Sequence, residues 1–126
     1  MTHSIAEAAR RTGLSIDTLR YYERIGLADR PDRDSAGRRS YSDADLAWLG
    51  FLIKLRTTGM PIRVMREYAQ LRREGAATAG RRKHILIDQR AAVNARIAEL
   101  NTCLDVLDYK IDNYAQLERG PQEVSA

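Results

Sequence analysis

Cysteine is almost missing from this sequence of 126 residues, with Cys103 standing alone. An internal disulfide is therefore excluded. With two histidines beside it, the chain cannot close a four-ligand zinc or iron–sulfur site by itself. Long apolar runs are missing too: nothing approaches the ~18 residues that a membrane-spanning helix needs. The opening Met1-Thr2-His3-Ser4-Ile5 has neither a basic segment nor an apolar one, which argues against a secretory leader and for a reducing cytoplasm. There is no Ser/His/Asp order, no phosphate-cradling glycine loop and no acid pair in an apolar setting, so no enzyme, no cofactor and no metal is expected.

What is present is a fold-competent composition, 44% apolar and 30% charged, enough for one domain with an extension. The charge is unevenly placed. Residues 1–75 hold 14 of the 21 Lys+Arg and 10 of the 17 Asp+Glu, so the whole net charge of +4 lies there. Nearly all of those cations are arginine, whose planar fork suits phosphate and guanine edges. A basic balance of this kind points to a polyanionic partner.

Along the chain, Ser4 and Glu7 read as a capping box opening a short helix to about Arg11, with Gly13 as its stop. Ser15 caps a second helix, Ile16 to about Ile25, stopped by Gly26. Two short helices around a glycine turn form a helix-turn-helix pattern. Ile5, Ala9, Leu14, Leu19 and Tyr22 are its expected core, with Arg20, Tyr21 and Arg24 pointing partly outward. Leu27–Arg30 and Arg38–Tyr41 are expected as strands of a basic hairpin, a wing, although Pro31 and the acidic tip also suit an irregular loop. Ser42 caps a third helix carrying Leu46, Leu49, Leu52 and Ile53. Pro61 opens a fourth with Val64, Met65, Tyr68 and Leu71 inward, ended by Gly75.

The last helix is the longest, from a cap at Thr78 to the break at Gly120-Pro121. Val93, Ile97, Leu100, Leu104, Leu107, Ile111 and Tyr114 step by four and three, an unbroken heptad seam. Residues 79–118 at about 1.5 Å each span roughly 60 Å. A dimerisation coiled coil is the simplest reading; the alternative is a helix folded back on the core. Arg90 falls on the extended seam, where a parallel dimer would bury a like-charge pair, so an antiparallel pairing is favoured. The expected division is a DNA-binding winged helix-turn-helix at 1–75, a dimerisation helix at 76–120 and a flexible tail at 121–126.

Ser4-Ile5-Ala6-Glu7-Ala8-Ala9, Arg11-Thr12-Gly13-Leu14-Ser15, Thr18-Leu19-Arg20-Tyr21-Tyr22-Glu23, Gly26-Leu27 and Gly37-Arg38-Arg39-Ser40-Tyr41 together resemble the MerR family of transcriptional regulators. Within it, Phe51-Leu52-Ile53-Lys54, Thr58-Gly59-Met60, Tyr68-Ala69-Gln70-Leu71 and Leu107-Asp108-Tyr109-Lys110-Ile111 are similar to the AdhR/NmlR-like branch. The resemblance implies a mainly α fold: a winged helix-turn-helix, two further helices and a long C-terminal helix in an antiparallel coiled coil. It implies a homodimer that distorts double-stranded promoter DNA and realigns its elements for RNA polymerase. Thiol-sensing members of the branch carry a cysteine after the helix-three lysine; here that residue is Leu55. Arg38 stands where the family usually has an aromatic or apolar residue.

The expected DNA-binding residues are Ser15, Thr18, Arg20, Tyr21, Arg24, Arg38, Arg39, Tyr41, Arg56 and Arg63. Arg20 is the candidate for a base edge, against a phosphate contact or an ion pair with Asp17. Arg39 and Tyr41 match wing residues that clamp phosphate. Tyr22 belongs in the core and Tyr21 at the DNA backbone. Tyr68 and Tyr109, with Trp48 and Tyr114, line a small ligand pocket or simply pack. His3 and His84 are expected at the surface. Cys103, beside the seam, is a half-buried small residue or a redox thiol. A rival reading is a winged-helix module whose basic face meets an acidic protein.

Overall fold

The computed structural model describes residues 1–120. The tail expected at 121–126 lies outside the described residues. Eight elements follow one another: β1 (Thr2–His3), α1 (Ile5–Thr12), α2 (Ile16–Arg24), β2 (Asp32–Arg33), β3 (Arg39–Ser42), α3 (Asp43–Thr57), α4 (Ile62–Glu74) and, after a 3-10 turn at Ala76–Thr78, α5 (Ala79–Arg119).

Local chemistry explains the helix ends. Ser4 and Ser15 each accept a hydrogen bond from the backbone N–H three residues on. At Ser4 only half of the expected box forms, because the Glu7 carboxylate turns to Arg10 and Arg11 instead. That pairing pulls the Glu7 carboxyl down to about 2, chiefly through the Arg10 bond. Gly13 follows α1 at φ +79°, a conformation that costs a residue with a Cβ. At α3 the box is complete: Asp45 N–H donates to Ser42 Oγ at 3.0 Å and Ser42 N–H to Asp45 Oδ2 at 2.9 Å. Ser42→Ala removes one side of that exchange and is expected to cost about 1 kcal/mol in a thermal melt. An unchanged midpoint would mean that Asp45 alone holds the helix start.

The three strands form one antiparallel sheet in the order β1-β3-β2, with His3 opposite Tyr41 and Arg33 opposite Arg39. Two expectations change here. The strand placed at Leu27–Arg30 is an irregular segment: Leu27 and Ala28 donate to the Tyr22 carbonyl, and Trp48 Nε1 donates to that of Leu27 at 2.9 Å. Leu27 is thus drawn fully into the core, and pairing begins only after Pro31. His3 is buried rather than superficial. Its Nε2 lies 2.7 Å from Asp43 Oδ1, which ties β1 to the first turn of α3 and lowers the Asp43 carboxyl below its usual range.

Leu19, Tyr22, Leu27, Leu49, Leu52, Leu55, Met60 and Met65 make the core. Leu55 is buried in it. Trp48 stacks on Tyr68 at 6.0 Å, and Arg72 caps the indole at 4.2 Å.

The chain divides into two compact units, Met1–Ile87 and a second beginning at Asp88. The first passes the expected boundary at 75 because Ile85 and Leu86, in the opening turns of α5, pack against the core. Thr78 does not cap α5; its hydroxyl donates to the carbonyls of Leu71 and Gly75 and closes the end of α4. In the second unit, the remainder of α5 is a single helix with no buried residue.

Candidate nucleic-acid interface

Helix α2 turns Leu19 and Tyr22 into the core and leaves Arg20, Tyr21 and Arg24 outside. Their period follows from 3.6 residues per turn. Tyr21 is 41% exposed and Tyr22 only 7%, the division expected for adjacent rings. The Arg24 guanidinium lies 5.4 Å from the Tyr21 ring centre. Ser15 and Thr18 bond each other at the helix start, with the Ser15 hydroxyl 2.9 Å from Thr18 Oγ1. Arg20 is exposed and makes no hydrogen bond or ion pair among the described residues. The Asp17 pair weighed for it does not form.

The wing faces α2. At its tip Asp34 accepts from the N–H groups of Ala36 and Arg38, both at 2.9 Å, and these bonds, the Arg38 one foremost, lower its carboxyl. Arg38 reaches solvent from this turn, 3.3 Å from Asp34. Arg39, expected as a phosphate contact, is paired within the head: its Nε donates to Glu23 Oε2 at 2.8 Å, across from strand to helix. Tyr41, expected beside it, is buried. Only 3% exposed, its ring is core, and burial raises its hydroxyl. On β3 Tyr41 is the buried residue, while Arg39, Ser40 and Ser42 stay partly exposed.

Arg20, Glu23, Arg24, Arg30 and Arg39 line one open cleft, and a second runs from Arg20 past Arg33 and Arg38 to His3. Glu23, Arg30 and Arg33 were not among the expected residues. Arg30 and Arg33 flank Pro31, and a basic pair around a hairpin entry was the available signal. Glu23 gave none, since an acid on a DNA face reads as a solvated charge.

Arg56 Nη1 donates to the Met60 carbonyl at 3.2 Å and braces the turn between α3 and α4. Arg63 is exposed in a separate groove with Arg66 and Arg73. Arg73 is committed to Asp29, at 2.8 Å, and to the Gly26 carbonyl, and its bond is the main reason that the Asp29 carboxyl is lowered. Tyr68 is a packing residue, filled in by Trp48 and Phe51. Tyr109 is exposed in the second unit, as is Cys103. His84 is exposed as expected. Ile97, Leu100, Leu104, Leu107, Ile111 and Tyr114 are all exposed, and Val93 is partly so. Among the described residues, no helix is long and apolar enough to cross a membrane, and no three His, Cys, Asp or Glu are grouped to hold a metal.

A helix-turn-helix with a basic wing and an arginine-lined cleft is matched by the family model described as MerR HTH family regulatory protein, over residues 3–71. The chain belongs to the MerR family. A second MerR model, described as MerR, DNA binding, covers residues 46–109. This MerR protein is a DNA-binding transcriptional regulator, not an enzyme, and is close to the AdhR/NmlR branch. It is 41% identical over 87 residues to the HTH-type transcriptional regulator AdhR of Bacillus subtilis, 69% of this chain and 62% of that one. An uncharacterised HTH-type transcriptional regulator of Haemophilus influenzae is 38% identical over 90% of this chain and 84% of its own. Among solved structures, HiNmlR, a MerR family regulator lacking the sensor domain and bound to promoter DNA, superposes with a TM-score of 0.86 at 36% identity, covering 95% of each chain. A putative MerR family regulator from Listeria monocytogenes gives 0.90 at 39%, over 98% of this chain and 94% of that one.

Proposed function

We propose that this MerR regulator works in the cytoplasm as a homodimer on double-stranded promoter DNA, distorting the duplex so that RNA polymerase meets its elements in register. The observation that carries the DNA face is Arg20, exposed and unpaired on α2 in a cleft shared with the wing. An arginine fork free of protein partners can bond a guanine edge in the major groove. Arg24, Arg38 and Arg63 supply positive charge for phosphate, and Ser15 and Thr18 supply hydroxyls near the start of α2. The acidic-protein reading is the weaker one, since the family likeness extends to a relative bound to promoter DNA.

The dimer reading rests on the α5 seam. Leu104 is 53% exposed and Leu107 56%, too much apolar surface in one stripe for a solvent-facing helix. Bending a short site costs a few kcal/mol, and two heads on a stiff helix pair can supply the required leverage. Regulation is taken to be independent of thiol chemistry, because Leu55 fills the head where a cysteine would react.

The test is a binding titration on the DNA upstream of the protein's own gene. Affinity is expected to fall steeply with salt, with a log–log slope of about −0.9 for each phosphate neutralised. Arg20→Ala is expected to cost about 1–3 kcal/mol and to relax preference at one symmetric pair of bases. If preference survives Arg20→Ala at matched salt, Arg20 is a phosphate anchor and the base-reading role is lost.

A further inference from the structure

We propose that Arg39 acts on DNA recognition through Arg20: by occupying the Glu23 carboxylate, it keeps the Arg20 guanidinium free to read a base. This rests on the reading of Arg20 given above.

Glu23 sits on α2 three residues after Arg20, a spacing at which ion pairs form readily along a helix. No such pair is present among the described residues. The carboxylate is engaged from the opposite wall of the cleft instead. Arg39 donates Nε to Oε2 at 2.8 Å, and Arg30 Nε lies 3.7 Å from Oε1. The Arg39–Glu23 pair is sheltered, with side chains 24% and 14% exposed, whereas Arg30 is 81% exposed. A charge-assisted bond gains strength where water is partly excluded. Arg39 also starts from a fixed place, held by the ladder opposite Arg33, so it loses less freedom in bonding than a side chain free in solvent.

Removing Arg39 leaves Oε2 of a largely buried carboxylate without its partner, and such a group recruits the nearest cation. Arg30 remains on the other oxygen. Arg20 is the cation within helical reach, and a guanidinium turned back onto Glu23 cannot present its fork to a guanine. Arg39 is therefore a positioning residue, and its loss should damage discrimination between sequences more than attraction to DNA in general.

The probes are a duplex that the wild-type dimer selects from a random pool and a scrambled duplex of equal length. Arg39→Ala is expected to shrink the affinity ratio between them by about tenfold or more. Adding Glu23→Gln should restore most of that ratio, although both affinities stay below wild type for want of the Arg39 charge. In an Arg20→Ala background, Arg39→Ala should change the ratio no further. Arg39→Met, which keeps an unbranched apolar stem but has no donor, should behave as Arg39→Ala and serves if the alanine variant fails to fold. Equal weakening of both duplexes by Arg39→Ala or Arg39→Met overturns the proposal. So does a lost ratio that Glu23→Gln fails to restore, since that would make Arg39 a brace for the wing. A wild-type protein that selects no sequence brings down the proposed function and this inference with it; one that selects normally and is indifferent to Arg39 brings down this inference alone.

Discussion

Leu104→Asp is expected to convert the protein from a dimer to a monomer. Leu104 lies mid-seam on α5, flanked by Leu100 and Leu107, and all three are exposed in the single chain. In a two-stranded coil both copies carry the change, so two carboxylates enter the apolar seam without partners. Each costs several kcal/mol to desolvate, more than a seam of about three heptads can lose. Sedimentation equilibrium should report a mass near 14.3 kDa at concentrations where the wild type sediments at twice that. Binding to a two-half-site duplex should drop by roughly 10²-fold or more, because the second head no longer arrives at high effective concentration. The head should still melt cooperatively, since Leu104 lies outside the first compact unit. A Leu104→Asp protein that remains dimeric would remove the seam from the interface.

The second large effect belongs to the head. Leu52 is fully buried on α3. Leu52→Ala leaves a cavity that the surrounding helices fill only in part, at a cost of about 2–5 kcal/mol. A small domain has about 5–15 kcal/mol in total, and each kcal/mol moves its midpoint by about 4–8 °C. A fall of at least ~8 °C is therefore expected. Trp48, the sole tryptophan, reports it, because its indole is bonded to Leu27 and stacked on Tyr68. A loss below ~1 kcal/mol by urea titration of Trp48 fluorescence would mean that α3 repacks freely and that the head is not one cooperative core.

The helices were legible because their ends carry distinct chemistry: serine hydroxyls at Ser4, Ser15 and Ser42, and glycines free to turn at Gly13 and Gly75. The length of the last helix was legible because nothing breaks the helical pattern before Gly120. What escaped reading was short or relational. A two-residue strand such as Thr2–His3 has no period to detect, so burial of His3 against Asp43 gave no signal. The wing was found, but Leu27 was placed in a strand, because a segment read residue by residue does not show that Trp48 bonds its carbonyl. Arg39 and Tyr41 were matched to wing residues of the family; that Arg39 pairs with Glu23 and that Tyr41 is buried is visible only in the packed sheet.

The sulfur atoms of this chain are segregated in a way that governs its chemistry. Met60 and Met65 are fully enclosed in the core, and Leu55 replaces sulfur with hydrocarbon beside them. Peroxide or an alkylating reagent therefore meets accessible sulfur only at Met1 and at Cys103 on the long helix. From Thr2 to Ile87 the folded head offers no soft nucleophile to its surroundings. Thiol-directed reagents can therefore mark the long helix at Cys103 without touching a sulfur in the core of the head.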